Sequence, residues 1–192
     1  NEGNPIDPII LESYDARLIE SGKSINTERS AFIEEFNAIF KADYSHLTGD
    51  EETIDIEYIS DLNHSDFKDI LEKQIGADTS AQRTTKGVHK DDLVFTINKL
   101  ALKKFGSQGQ IKSVIIAAKL AQFSYFSGKT NSTPILLLDD IFEKIDLSRA
   151  EKLMEMIANK RFGQIIISDT EKTRMEQFLS NIEIDQKFFE II

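Results

Sequence analysis

Two short apolar runs, "PILLLD" (134–139) and "GQIIISD" (163–169), constrain this chain more than any other feature. Each has the length of a single strand. Neither alternates polar with apolar residues, so both read as strands buried on both faces, as in a parallel sheet. Between them, "DLSRAEKLMEMIANK" reads as a helix, with Ser148 and Glu151 at capping-box spacing. A further helix is expected from about Glu171. Strand, helix, strand, helix at this spacing implies right-handed parallel crossovers, and so an α/β sheet.

The rest of the chain is more helical at its start and more mixed in its middle. Residues 6 to about 46 read as mostly helix, because "ERSAFIEEFNAIF" repeats Phe32, Ile33, Phe36, Ile39 and Phe40 along one stripe. Gly22 and Ser24 interrupt that pattern and predict a break or kink. "TIDIEYIS" alternates Ile54, Ile56 and Tyr58, as in a strand with one buried face. A helix is expected over Asp66 to Ile75, then a polar linker over 77–87. We therefore place a boundary near Ala81, with a mainly helical segment carrying one or more strands over 1–80 and a second region over 81–192. "DLVFTINKLALKKF" reads as two short strands about an Asn98-Lys99 turn. Ser107 to about Phe126 reads as a long apolar helix.

Composition narrows the chemistry. Hydrophobic residues make up 40% of the 192, enough for a buried core. No run approaches membrane-spanning length, and there is no charged-then-apolar leader, so a soluble, cytoplasmic protein is expected. The absence of cysteine excludes disulfides, thiolate metal sites and a cysteine nucleophile. Three dispersed histidines (His46, His64 and His89) argue against a histidine zinc site. The net charge of −10 is unevenly spread. Residues 1–82 hold 19 acidic and 6 basic side chains, whereas residues 83–119 hold 8 basic and 2 acidic. A basic segment inside an acidic chain points to one anion-seeking surface; solvated lysines on a hairpin and a helix are the plainer reading.

In open α/β sheets, ligands bind beyond the carboxyl ends of the strands. Asp139 and Asp140 lie at one such end, Ser168 and Asp169 at the other. Adjacent carboxylates there suit magnesium-assisted phosphoryl transfer, although acids that merely end a strand in solvent explain the pair as well. No phosphate loop of the form G-x-x-x-x-G-K-[ST] occurs in these residues. "RLIESGKS" (17–24) and "FSYFSGKT" (123–130) end correctly but lack the first glycine and the strand-loop-helix setting. "KKFGSQGQIKS" (103–113) places Gly106, Ser107 and Gly109 at the start of the long helix, where free N–H groups face anions. Plain helix capping accounts for the same residues.

Taken together, these stretches resemble the RecF family of ABC-type, SMC-like ATPases. "GSQGQ" (106–110) resembles the signature loop, and "TTKGVHKDDLVFTIN" (84–98) resembles a family block from which Val88 and Lys90 depart. "PILLLDDIFEKID" (134–146) resembles the Walker B strand with its catalytic acid and D-loop, and "QIIISDTEKTRMEQF" (164–178) the late strand and switch region. The resemblance covers 83–180 well and 6–60 loosely. It implies the C-terminal half of an ABC-type head, parallel strands with helices, plus a helical arm segment, with Walker A carried by an upstream half.

The resemblance also assigns roles. Asp139 would act on Mg²⁺ through water, and Asp140 would orient the attacking water. Ser107, Gln108, Gly109 and Gln110 would contact ATP held by the opposite protomer. Asp146 would be the D-loop aspartate, and Ser168, Asp169 and Thr170 would stand in the switch region, where the histidine of many ABC proteins is absent. His89 stays open between a functional role and that of an ordinary loop histidine. The implied biology is recombinational repair and the SOS response: an ATP-clamped homodimer binding duplex DNA at gaps or single-strand/double-strand junctions, hydrolysing ATP slowly, with RecR- and RecO-type mediator partners near the nucleoid. The alternatives are another SMC-like or overcoming-lysogenization-type head, a magnesium-dependent phosphotransfer receiver domain, and a pure interaction module.

Overall fold

The first element is a single helix, α1 (Pro8–Thr48), carried by the Phe36–Phe40 side of its apolar stripe and by the absence of proline after its first residue. The computed structural model describes residues 8–130, 132–159, 162–180 and 185–190. The expected helix start at residue 6 lies outside the described residues. The break expected at Gly22 and Ser24 does not occur, since α1 is continuous there. Gly22 is instead a contact residue. A Cβ on it would sit 2.5 Å from the Phe67 ring, so glycine is what lets the ring lie against the helix.

Strand β1 (Ile54–Ile59) buries Ile54 and Ile56 and turns Asp55 and Glu57 outward. Helix α2 (Phe67–Ala81) is capped by Asp66, whose side chain accepts the Lys68 N–H at 2.9 Å. It runs six residues past the expected end at Ile75, so residues 77–81 are helix and not linker. Its left-handed terminator is Gln82, φ 52°, followed by a loop tied down when Asp78 accepts the Thr85 N–H at 2.8 Å. At Gly87, φ 125°, the backbone takes a conformation that favours glycine and presses on the other side of the Phe67 ring.

Strands β2 (Asp92–Ile97) and β3 (Leu100–Ala101) form the expected hairpin, antiparallel, with Thr96 opposite Ala101. Asn98 and Lys99 both have positive φ, 49° and 68°, as a two-residue hairpin turn demands. The sheet order is β1-β2-β3. A one-turn helix, α3 (Leu102–Phe105), leads to the long helix α4 (Gln108–Lys129).

Strands β4 (Ile135–Asp139) and β5 (Gln164–Ser168) pair in parallel, joined through helix α5 (Leu147–Ala158); helix α6 (Lys172–Leu179) follows. The cap of α5 is Asp146 and not Ser148, because the Asp146 carboxylate accepts the Arg149 N–H at 2.9 Å. The core of this region packs Ile116, Leu120 and Phe123 of α4, Leu136 and Leu138 of β4, and Leu153, Met154 and Ile157 of α5. Full burial of each Leu or Ile contributes roughly 1.5–3 kcal/mol relative to exposure.

Burial of both strand faces is not what the structure shows. Ile135, Leu137 and Ile166 are 56%, 59% and 52% exposed, so one face of the β4–β5 pair packs on the core and the other is bare. The chain divides into two compact units, Asn1–Glu35 with Ile56–Phe95 and Phe36–Asp55 with Thr96–Ile192, and this division runs through α1, β1 and β2. Among the described residues, no helix is long and apolar enough to cross a membrane.

Candidate functional site

The candidate site lies at the carboxyl end of β4. Parallel register sets Asp139 opposite Ser168, and the Ser168 hydroxyl donates to Asp139 Oδ1. Asp140 then leaves the strand with φ 47°, a left-handed conformation that an aspartate tolerates better than most residues. That conformation is held from two sides. The Asp140 N–H donates to the Ser168 carbonyl at 3.1 Å, and Lys112 of α4 donates its Nζ to the Asp140 carbonyl at 2.6 Å. The Asp140 carboxyl is held above the usual carboxylate range, first by its hydrogen bond to Glu143 and then by burial and the Glu143 charge. Glu143 moves the opposite way, lowered by the same bond and by Lys144.

Ser168, Asp169 and Thr170 do different things. Ser168 and Thr170 are exposed, whereas the Asp169 side chain is fully buried. Its Oδ1 accepts the Glu171 N–H at 2.8 Å and Arg174 Nη2 at 2.6 Å, while its Oδ2 and Arg174 Nε are buried without hydrogen-bond partners. An aspartate closed into an ion pair is not an open phospho-acceptor, as the receiver-domain alternative requires. His89 is exposed, with Nε2 3.1 Å from the Thr84 carbonyl.

The start of α4 carries a full capping box. Ser107 Oγ accepts the Gln110 N–H at 3.1 Å, and Gln110 Oε1 accepts the Ser107 N–H at 2.9 Å. The Gln110 amide nitrogen donates one of its two hydrogens to Glu52 at 3.0 Å. Gln108 is exposed. A Cβ on Gly109 would meet the Lys144 carbonyl at 3.5 Å, an ordinary contact, so the fold itself does not require glycine there. The same value sets the start of α4 beside the 140–146 turn. Asp146 caps α5 and pairs with Arg149 Nε at 3.2 Å.

Sequence reasoning missed Glu52, Lys112, Glu143, Arg149 and Arg174. Of these, only Arg149, three residues after Asp146, had a local signal, the spacing of an aspartate cap and its first-turn arginine. Of the basic residues in 83–119, Lys86 pairs with Asp61 at 3.0 Å and Lys112 is held by Asp140. Among the described residues, no group of three or more histidines and carboxylates forms a metal cage.

No family model matches the chain. Individual proteins do. It is 42% identical over 181 residues to the DNA replication and repair protein RecF of Flavobacterium johnsoniae, covering 94% of this chain and 50% of that protein. RecF of Cytophaga hutchinsonii is 40% identical over 188 residues, covering 98% of this chain and 50% of that protein. The chain therefore spans about half the length of the curated relatives it matches. Among solved structures, the recombination mediator protein RecF-ATP of the RecFOR pathway superposes with a TM-score of 0.73 at 24% identity, over 90% of this chain and 47% of that one. The Smc head domain of Pyrococcus furiosus, with an extended coiled coil and bound to the C-terminal domain of ScpA, superposes with a TM-score of 0.52 at 14% identity, over 87% and 35%. The fold is thus that of part of an ABC-type ATPase head with a helical N-terminal segment. Sharing a third or more of its residues with RecF proteins along nearly its whole length, the chain belongs to the RecF family of DNA replication and repair proteins.

Proposed function

We propose that this chain supplies the C-terminal half of a RecF-type ATPase head, and that its α4 loop acts on ATP bound by a second protomer. In this reading Ser107, Gln108, Gly109 and Gln110 meet the γ-phosphate across the dimer, Gln110 also holding the loop in shape, and Asp146 crosses the interface beside them. Asp140 orients the attacking water, and Ser168, Asp169 and Thr170 form the switch region. Asp139 holds Mg²⁺ through water; a cation that keeps most of its shell from waters and nucleotide phosphates needs no protein cage. When bound, that ion neutralises charge on the phosphates.

One observation carries this reading. Parallel register brings Asp139 level with Ser168, and the capped N-terminus of α4 lies against the 140–146 turn, so strand end and anion-facing helix start share one small region. The half-length match and the bare face of β4 and β5 support a missing other half. The wider function follows from the family: an ATP-clamped homodimer in recombinational repair, binding duplex DNA at gaps or junctions with RecR- and RecO-type mediators in the cytoplasm, with slow hydrolysis as a timer. Such DNA binding would weaken steeply with salt.

The test uses the full-length protein that carries this chain. Ser107→Arg is expected to abolish ATP-driven dimerisation in analytical ultracentrifugation while ATP binding persists. Loss of ATP binding with an intact fold would place the loop in the same protomer's site. Asp140→Asn is expected to trap the ATP-bound dimer, and rapid turnover by that variant would remove Asp140 from its role.

A further inference from the structure

Glu52 lies in the turn after α1, outside every segment assigned to the ATP site. It is nonetheless largely buried, its side chain 14% exposed, and three groups donate to it. The Tyr44 hydroxyl of α1 bonds Oε2; Gln110 Nε2 and Arg149 Nη2 reach Oε1 at 3.0 and 3.1 Å. Arg149, equally buried, sends Nη1 to Ser113 Oγ at 2.9 Å and Nε to Asp146 Oδ2 at 3.2 Å. Ser113 Oγ donates onward to the Gly109 carbonyl at 2.9 Å. One continuous set of bonds therefore joins Ser107, Gly109 and Gln110 to Asp146: the Gln110 route runs through Glu52 and Arg149, the Gly109 route through Ser113 and Arg149.

The electrostatics favour a single arrangement. Burial pushes the Glu52 carboxyl up, but the bonds from Tyr44 and Gln110 and the Arg149 charge outweigh it and hold the group below its ordinary value. Glu52 is thus an anion at neutral pH. Tyr44 is pushed far above the usual phenol range by burial and by its bond to Glu52, so it stays a donor. With the arginine fork using three nitrogens on three partners, moving either loop alone leaves a buried charge or donor unpaired, which is costly.

We propose that Glu52 and Arg149 are positioning residues that lock the Ser107–Gln110 loop to Asp146, so that a second protomer's nucleotide meets both as one rigid surface. The proposal rests on the in-trans reading above. A pair that merely held the fold would affect stability and ATP binding together. A positioning pair affects turnover and dimerisation and leaves the nucleotide affinity of the single protomer alone.

In the full-length protein, Glu52→Gln is expected to lower kcat and ATP-driven dimerisation by about tenfold or more, since small misplacements of reacting groups have effects of that order. KM for ATP should stay within about twofold. Arg149→Met should show the same split at least as strongly, because Arg149 lies on both routes to Asp146, and the double variant should be no worse than Arg149→Met alone. Should Arg149→Met fail to fold, Arg149→Lys keeps the charge but loses the fork and should show the same effect in milder form. Full turnover by Glu52→Gln, with Ser107→Arg still blocking dimerisation, would overturn the lock and leave the in-trans reading standing. If neither variant affected dimerisation, the in-trans reading itself would fall, and the lock with it. Additive losses in the double variant, or parallel loss of ATP binding and thermal stability, would reduce the pair to a structural contact.

Discussion

Two carboxylates in this molecule, one in each compact unit, meet the same kinds of partner. Glu52 accepts from Tyr44 and Arg149; Asp91 accepts from Tyr58 at 2.5 Å and Arg29 at 2.6 Å. The difference is in the second oxygen. Glu52 uses both, one for Tyr44 and one for Gln110 and Arg149, whereas Asp91 places both partners on Oδ2 and leaves Oδ1 buried without a hydrogen bond. Their arginines differ too, Arg149 being 14% exposed and Arg29 46%. The closed network joins the start of α4 to the cap of α5. The open one ties the Val88–Asp91 turn to α1, where Arg29 also reaches the Val88 carbonyl at 2.7 Å.

The contrast can be broken by substitution. Glu52→Ala strands a buried guanidinium and is expected to cost this chain about 3 kcal/mol in urea unfolding, the low end for a broken buried pair. Asp91→Ala should cost less, about 1–2 kcal/mol, because Arg29 regains water and the orphaned Oδ1 disappears. Equal losses would mean that closure of the network adds nothing.

A smaller effect is expected with pH. Glu52 has a folded value below its ordinary 4.5, so its contribution is complete above about that pH and is lost as pH falls through the folded value. Glu52→Gln should therefore flatten the acid side of the stability curve below pH 4.5, measured against wild type. The smallest effect is expected at Gly109. Alanine there meets only an ordinary contact, and stability should change by less than about 0.5 kcal/mol. A large loss would show that the fold, and not a ligand's approach, requires the glycine.

Much of this was legible from local pattern. Ser107 could be read as a cap, and the Asn98-Lys99 turn and the two parallel strands could be read directly, whereas the reciprocal bond from Gln110 came only with the structure. Glu52 and Arg149 were invisible because they are 97 residues apart and neither neighbourhood signals the other. Ser148 and Glu151 had capping-box spacing, yet Asp146 won the cap, since the helix begins at Leu147, two residues earlier than that motif requires. The bare face of β4 shows a deeper limit. An unbroken apolar run records that both faces of a strand are made to be covered, and cannot say whether the covering residues belong to the same 192. Gly22 misled for the converse reason: a helix interior accepts glycine when a neighbouring ring needs its space.

That ring has a consequence for which substitutions the protein can accumulate. Gly22 and Gly87 are far apart in sequence, yet a Cβ on either would stand 2.5 or 2.8 Å from the same Phe67 ring. The three positions are therefore sterically coupled. A larger residue at position 22 becomes admissible only after position 67 has shrunk, whereas position 87, with its positive φ, stays closed even then.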